Sequence, residues 1–145
     1  MKMNKQFRNE YHRLIANLHQ TNSYIFNYFG QKLAPFDLSV QQYIVLRHLS
    51  ECYPNSLTAG ELKEKMNDLN PDMTRLVDRL VAKNLIVREI DPQNRRRVNL
   101  RLTEESKQFV ETAAAHFADF ESIVSHLTDE EVSTLNTLLN KIRNR

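Results

Sequence analysis

Arginine residues that could bind a polyanion are concentrated in one stretch of this 145-residue sequence, residues 70–103. Three arginines stand in succession at 95–97, and Arg75 and Arg79 lie about one helical turn apart upstream of them. The three adjacent arginines cannot lie in a core, because burying unpaired guanidinium groups would be prohibitive. Phosphates attract Lys and Arg, so the pattern indicates a surface for nucleic acid.

The charge balance shows the same concentration. The whole sequence has a formal net charge of +2. Residues 70–103 hold 8 basic and 4 acidic side chains, which gives them a net charge of +4. Residues 1–69 hold 8 and 6 (+2), and residues 104–145 hold 4 and 8 (−4). A basic patch on a nearly neutral protein is the electrostatic footprint of a polyanionic partner.

An amphipathic helix over residues 71–83 is predicted to position the first two arginines. Its apolar residues recur at helical spacing and form one stripe: Met73, Leu76, Val77, Leu80 and Val81. Asn70 is expected to cap this helix, with Pro71 at its first position and Asp72 near the positive end of its dipole. Asn84 is expected to end the helix in a left-handed conformation.

The outward face of this helix carries the side chains that could contact DNA. With the stripe buried, four side chains face away from the core: Thr74, Arg75, Asp78 and Arg79. The major groove of DNA admits one helix, and residues near the start of such a helix usually touch base edges. This places Thr74 and Arg75 at base edges, and Arg79, one turn further on, at a phosphate.

A β-hairpin is predicted directly after the helix. Leu85–Ile90 is rich in β-forming residues. The return strand alternates three apolar residues with three basic or polar ones: Val98, Leu100 and Leu102 with Arg97, Asn99 and Arg101. The connecting loop carries Arg95, Arg96 and Arg97, which suit the minor groove of DNA, where the negative potential attracts arginine.

Apolar periodicity and capping residues predict five more helices: about 5–34, about 40–51, about 59–67, one capped by Thr103 with apolar residues as far as Val124, and a last one after Thr128. Three helix starts have the form of a capping box: Ser39–Gln42, Thr58–Glu61 and Thr128–Glu131. Two short helices followed by the helix at 71–83 form a helix-turn-helix pattern, and the hairpin makes it a winged version.

The terminal helices carry more apolar surface than the small central unit would cover. The first helix has a seam with alternating three- and four-residue steps, broken by one polar position: Phe7, Tyr11, Leu14, Leu18, Thr21, Ile25 and Tyr28. We infer that the terminal helices pack together and form a dimer interface. The predicted fold is therefore mainly α with a small β-hairpin wing. In this fold, a winged helix-turn-helix (37–103) is combined with a helical dimerisation domain (1–36 and 104–145).

Composition argues against several other classes of protein. No apolar run approaches the roughly 20 residues of a membrane span, and the amino end has no signal-peptide core. A single cysteine, Cys52, excludes an internal disulfide framework and fits a reducing cytoplasm. The sequence has no Gly-rich phosphate loop, no metal motif and no nucleophile with an obvious base. No enzyme activity, catalytic residue or cofactor is expected.

Four segments carry a resemblance to a known family: LSVQQYIVLRHL (38–49), LTAGELKEKM (57–66), MTRLVDRLVAKNLIVR (73–88) and DPQNRRRVNLRLTEES (91–106). They resemble the MarR family of bacterial transcriptional regulators. The combination of a T-R-x-V-D-R-L helix with a D-P-x-x-R-R wing ending in L-T is specific. The resemblance covers about residues 38–106, and the flanking helices match the family more in length and placement than in amino-acid sequence.

The resemblance implies a homodimer with intertwined first and last helices that binds a pseudo-palindromic operator as a repressor. It implies that Thr74, Arg75 and Arg79 contact DNA from the recognition helix. Arg96, at the wing tip, matches the arginine that enters the minor groove.

Within and near the wing, two residues match the family and three positions differ from it. Asp91 and Arg95 match residues that brace the wing. Asn94 stands where Asp is common in the family, and Asn84 and Ser106 stand where Gly is common. These departures bear on the bracing of the wing and on local turn geometry.

Many members of the family bind a small aromatic effector between the dimerisation helices and the winged unit. The resemblance therefore implies a crevice near Tyr11, His12, Tyr43 and His48, although aromatic residues at helical spacing more often belong to a core. Cys52 follows the second helix, where a semi-buried thiol is expected rather than the redox sensor of some relatives. The histidine pairs lack the spacing of a zinc site, so no metal is expected.

Two alternatives to operator binding stay open at this point. A winged helix can dock protein or RNA without operator specificity, although double-stranded RNA hides its major groove from side chains. The chain could also be a purely structural helical dimer with an incidental basic loop. Independently of this, the polar face of the helix at 71–83 is open to a plainer interpretation, in which it is only solvated and Arg75, Asp78 and Arg79 form surface ion pairs.

Overall fold

Six α-helices and three short strands make up the part of the chain that the computed structural model describes, residues 7–66 and 72–144. The helices are α1 (Glu10–Leu33), α2 (Val40–Cys52), α3 (Ala59–Lys65), α4 (Met73–Ala82), α5 (Glu104–Ala115) and α6 (Asp129–Arg143). The strands are β1 (Leu57–Thr58), β2 (Ile86–Ile90) and β3 (Val98–Leu102), and short 3₁₀ helices span Ala34–Phe36 and Phe120–Val124. The predicted mainly helical fold with a small hairpin is confirmed. No helix in the described part of the chain is long and apolar enough to cross a membrane.

The hydrophobic core lies where α2, α3, α4, β3 and α5 meet. Its most deeply buried apolar side chains are Leu33, Val45, Leu46, Leu49, Leu62, Leu80, Leu100, Leu102 and Val110. Burying one leucine side chain contributes roughly 1.5–3 kcal/mol to folding. The predicted stripe of α4 faces this core, because Met73, Leu76, Val77 and Leu80 are buried. The opposite face of α4 is thereby fixed toward solvent.

Capping chemistry sets most of the helix starts. The three predicted capping boxes are formed at Ser39–Gln42, Thr58–Glu61 and Thr128–Glu131. A fourth box joins Thr103 to Ser106, whose hydroxyl accepts the N–H of Thr103 at 2.9 Å. Ser106 is buried, so the departure from the family glycine supplies the second half of a cap instead of disturbing the turn.

The start of α4 differs from the prediction. Its cap is Asp72, whose Oδ1 accepts the N–H of Arg75 at 3.1 Å, so α4 begins at Met73. The predicted cap, Asn70, and Pro71 lie outside the described residues. A carboxylate at this position satisfies a free N–H and also offsets the positive end of the helix dipole, which makes it a strong cap. At the other end Asn84 is left-handed (φ 58°), as predicted.

Two predicted helices are shorter in the structure. The first begins at Glu10 because Asn9 caps it, accepting the N–H of His12 at 2.9 Å. Phe7 precedes the helix instead of opening its seam.

The helix after Thr103 ends at Ala115 instead of continuing to Val124. The N–H groups of residues 116–118 each bond to the carbonyl three residues back, which tightens the chain into turns. These turns allow Phe117 to stack on Tyr43, with ring centroids 4.9 Å apart, and to meet the ring of Phe29 at 5.8 Å. Aromatic pairs of this kind contribute about 0.5–1.5 kcal/mol beyond their burial, which offsets the helical bonds that are lost.

Strand β1 is not predicted by the sequence. Leu57 and Thr58 pair antiparallel with Leu100 and Asn99 of β3, and the sheet has the order β1-β3-β2. β2 and β3 form the predicted hairpin, which we call the wing, with Ile90 opposite Val98 at its outer end. Because β1 runs directly into α3, the start of α3 is tied to the wing.

Candidate nucleic-acid interface

The outer face of α4 carries two arginines that have no carboxylate partner within residues 7–66 and 72–144. Thr74, Arg75, Asp78 and Arg79 are all exposed. Asp78 pairs with Arg88 of β2. Among the described residues, neither Arg75 nor Arg79 lies within ion-pair distance of a carboxylate. The alternative in which these two arginines only form surface ion pairs with Asp78 is therefore not what the structure shows.

The tip of the wing, residues 91–97, consists of two successive turns. The N–H of Asn94 donates to the carbonyl of Asp91 at 3.2 Å, and the N–H of Arg97 donates to the carbonyl of Asn94 at 2.8 Å. The N–H of Asp91 donates to the carbonyl of Arg97 at 2.9 Å and closes the tip. Asn94 Oδ1 also accepts the N–H of Arg96 at 3.1 Å, so asparagine supplies the acceptor that an aspartate would supply here.

The three consecutive arginines have different surroundings. Arg97 lies between two carboxylates: its Nε is 4.0 Å from Asp91 Oδ2, and its terminal nitrogen is 3.7 Å from Glu61 Oε1. Within the described residues, the side chains of Arg95 and Arg96 have no ion pair or hydrogen bond, and both are exposed. The side chain that faces Asp91 is therefore that of Arg97, whereas Arg95, which the resemblance names with Asp91 as a bracing residue, makes no such contact within the described residues. The reason is that Arg97 closes the tip opposite Asp91, whereas Arg95 lies inside the second turn.

Four of the eight basic side chains in residues 70–103 are paired. The pairs are Lys83 with Asp37, Arg88 with Asp78, Arg97 with Asp91 and Glu61, and Arg101 with Glu89. The other four have no carboxylate partner in the described part of the chain: Arg75, Arg79, Arg95 and Arg96. These four occupy only the outer face of α4 and the wing tip. They can meet an anion without first giving up an internal partner.

Two of the paired carboxylates have lowered pKa values. The pKa of Glu61 is lowered chiefly by the backbone N–H of Thr58, then by the Thr58 hydroxyl and the nearby Arg97. The pKa of Glu89 is lowered chiefly by its hydrogen bonds from Arg101. Both carboxylates are therefore ionised at neutral pH, and their arginine partners stay neutralised there.

A second feature is a cavity of about 330 Å³ between α1, α2 and the end of α5. Its lining is Phe29, Leu33, Val40, Tyr43, Ile44, Arg47, Ala114, Phe117 and Phe120. Among these described residues Arg47 is the only charged one. Burial raises the pKa of the Tyr43 hydroxyl. The cavity is thus an aromatic pocket with one arginine at its wall, and a terminal nitrogen of that arginine lies 4.0 Å from Glu51 Oε1.

Only one of the four residues expected near an effector crevice lines this cavity, namely Tyr43. Tyr11 and His12 lie in the first turn of α1 and are exposed. His48 lies on α2, and its buried Nδ1 has no hydrogen-bond partner among the described residues. The sequence missed Phe29, Phe117 and Phe120, because apolar spacing does not tell a cavity wall from a core.

The single cysteine lacks the surroundings of a reactive thiol. Cys52 is half-buried, and burial raises the pKa of its thiol. Its Sγ donates to the carbonyl of Leu49 at 3.3 Å. A thiol with a raised pKa holds little thiolate at neutral pH, which agrees with the semi-buried thiol expected from the sequence.

Comparison with known proteins gives one consistent result. The MarR family model matches residues 38–98. The multiple antibiotic resistance protein MarR of Salmonella typhimurium is 30% identical over 132 residues, which cover 90% of this chain and 88% of that protein. The transcriptional repressor MdtR of Bacillus subtilis is 37% identical over 78 residues, about half of each protein (53% of this chain and 50% of MdtR).

Solved structures extend the similarity to the whole fold. A mutant MarR from E. coli, crystallised with operator DNA, is 28% identical and superposes with a TM-score of 0.81 over 95% of this chain and 99% of that one. These relatives are regulators and not enzymes, in agreement with the lack of a catalytic motif. The family membership suggested by the sequence motifs is confirmed: the chain belongs to the MarR family and is a transcriptional regulator that binds DNA.

Proposed function

We propose that the chain is a homodimeric repressor that binds a pseudo-palindromic operator in double-stranded DNA. The observation that carries the proposal is the placement, on α4 and at the wing tip, of the four arginines that have no carboxylate partner in the described structure. α4 fits the major groove, with Thr74 and Arg75 toward base edges and Arg79 toward a phosphate. Arg95 and Arg96 fit the adjacent minor groove. The repressor role is supported by the name of the relative MdtR.

The dimer is proposed from the terminal helices. Within the described part of the chain α6 buries no residue, and Leu135, Leu138 and Ile142 are 46%, 52% and 48% exposed. Three apolar residues near the start of α1 are also exposed: Tyr11, Leu14 and Ile15. Exposed apolar surface of this extent marks an interface. A two-fold dimer joined through residues 1–36 and 104–145 would present two winged units (37–103) to successive half-sites.

Release by a small aromatic acid is proposed from the cavity. A volume of about 330 Å³ is in the range of small-molecule sites, which begin near 300 Å³. Phe29, Tyr43 and Phe117 supply aromatic faces, and Arg47 supplies a counter-ion for a carboxylate or phenolate. α2 and α5 also contribute to the core beneath α4, so a ligand between them can change how the two winged units are held.

Protection of DNA by the full-length protein tests the proposal. Duplexes selected from a random pool should show two protected half-sites with centres about one helical turn apart. Protection of one isolated half-site by a monomer would contradict it, and preferential binding of an RNA competitor would favour the docking alternative.

Repeating the measurement with benzoate tests the proposed release from DNA. The substitution Arg47→Ala should abolish this release.

Arg96→Ala is expected to weaken binding to all duplexes by a similar factor, about fivefold, and to flatten the dependence of log K on log salt by about one unit. The reason is that Arg96 is proposed to contribute charge to the minor groove without reading base edges. Arg101→Ala is the matched control, because it removes the same charge from the same hairpin but from a guanidinium that Glu89 already neutralises. Fluorescence anisotropy at several salt concentrations measures both, and an unchanged slope for Arg96→Ala would remove this residue from the interface.

A further inference from the structure

The wing is joined to α3 by a cluster of three charged side chains, which we call the Arg97 clamp: Arg97, Glu61 and Asp91. Arg97 approaches Glu61 on α3 at 3.7 Å and Asp91 on the wing at 4.0 Å. It thereby spans a groove between the start of α3 and the wing, whose lining includes Gly60, Asn94 and Arg96.

The carboxylate of Glu61 has a fixed orientation within this clamp. Its Oε2 accepts the N–H of Thr58 at 2.7 Å and the hydroxyl of Thr58 at 3.0 Å. Its Oε1 remains on the side of Arg97. Thr58 pairs with Asn99 of β3, and Asn99 Oδ1 accepts from Arg97 Nε at 3.3 Å. The capping box of α3 therefore aims Glu61 at the base of the wing tip.

The main chain of Arg97 completes the arrangement. Its N–H donates to the carbonyl of Asn94 and closes the second turn of the wing tip, and its carbonyl accepts the N–H of Asp91 and closes the tip as a whole. The residue whose side chain holds α3 is thus the residue whose backbone closes the tip. Arg95 and Arg96 directly precede it in the chain, so their direction depends on where Arg97 is held.

We propose that Arg97 is a positioning residue, which holds the wing tip against α3 so that Arg95 and Arg96 face the DNA, and that it does not itself bind phosphate. The inference rests on the proposed role of the wing in DNA binding. Arg97 donates a hydrogen bond to Asn99 Oδ1, and two carboxylates lie at ion-pair distance from its guanidinium and offset its charge, so it offers less to a phosphate than Arg95 or Arg96 does. Ordering the tip before binding removes part of the entropy loss that two free arginines would otherwise suffer.

The substitution Glu61→Gln tells the two possible roles of Arg97 apart, because positioning and direct phosphate contact predict changes of DNA affinity in opposite directions. Glutamine keeps the acceptor of the capping box but loses the charge that attracts Arg97. If Arg97 bound phosphate directly, removing a competing carboxylate would leave binding equal or tighter. Positioning instead predicts binding to the selected duplex that is about three- to tenfold weaker, although a negative charge has been removed. Arg97→Lys, which keeps the positive charge between the two carboxylates, should bind better than Arg97→Ala.

The losses of DNA affinity caused by the two clamp substitutions should not be additive. The double variant Glu61→Gln/Arg97→Ala is expected to bind as Arg97→Ala does, because each change breaks the same contact. Glu89→Gln is the matched control: it neutralises a carboxylate that also pairs with an arginine of the wing, Arg101, but does not face α3. It should bind no more weakly than the unmodified protein.

Hydrogen exchange of the free protein gives a readout that needs no DNA. The backbone amides of residues 93–96 should exchange faster in Glu61→Gln than in the unmodified protein, whereas in Glu89→Gln they should exchange at the unmodified rate. The proposal is supported if Glu61→Gln binds DNA more weakly than the unmodified protein, Glu89→Gln does not, and exchange at the tip is faster in Glu61→Gln. Equal or tighter binding by Glu61→Gln, or weaker binding by both variants, overturns it. If the unmodified protein selects no duplex, the proposed function fails, and unchanged exchange at the tip would then overturn the clamp as well.

Discussion

Replacing Leu138 by glutamate is expected to convert the protein into a monomer and to lower its affinity for the selected operator by at least about 100-fold. Leu138 is 52% exposed and lies between Leu135 and Ile142 on the apolar stripe of α6. In the proposed dimer this stripe meets the partner chain, where an unpaired carboxylate would be costly to bury. Two-fold symmetry introduces the change twice. A monomer engages one half-site and loses the roughly 10²–10⁴-fold gain of bivalent binding.

The mass of the variant in solution decides this prediction. Light scattering at micromolar concentration should give the mass of one chain for Leu138→Glu and of two chains for the unmodified protein. Ser133→Glu is the matched control, because it makes the same addition of charge at an exposed polar position on the opposite side of α6. Circular dichroism checks that the helices persist. A Leu138→Glu protein that remains a dimer would show that α6 is not the interface.

Local signals explain why the core of the DNA-binding unit could be predicted from the sequence. The stripe of α4 is a property of spacing alone, and the same spacing sets which of its residues face outward. The capping boxes are likewise local, because each box joins residues only three positions apart. Asn84 is a further local signal, because asparagine tolerates the left-handed backbone conformation that ends a helix, whatever the helix packs against. The predictions that held depend on contacts within one element.

The features that were missed depend on contacts between distant elements. Three exposed arginines in a row look alike in a sequence. Arg97 differs from Arg95 in the structure because it closes the tip opposite Asp91 and because, across the fold, it meets Glu61 at a particular position. That position depends on β1, which at two residues is too short to show a strand period. The end of α5 at Ala115 is similar, because the turn is stabilised by Phe117 on Tyr43 and Phe29. No local breaker residue marks it.

Arg75→Ala is expected to lower affinity for the selected operator by about 10- to 100-fold and affinity for random duplex by less than about fivefold. Arg75 stands in the first turn of α4, exposed and without a carboxylate partner among the described residues. Its N–H is held by Asp72, so the backbone that carries the side chain is fixed. A bidentate contact between a guanidinium and a guanine is worth about 1–3 kcal/mol of discrimination, and this contact is absent on random sequence.

The ratio of the two affinities measures this effect apart from the general loss of charge. Arg79→Ala is the matched control one turn along the same face, and it should weaken both duplexes by similar factors because Arg79 is proposed to meet phosphate. Repeating the selection with Arg75→Ala should relax the preference at one base position in each half-site. Equal losses on operator and random duplex would assign Arg75 to the phosphate backbone, and base recognition by α4 would then have to come from Thr74 or from the shape of the DNA.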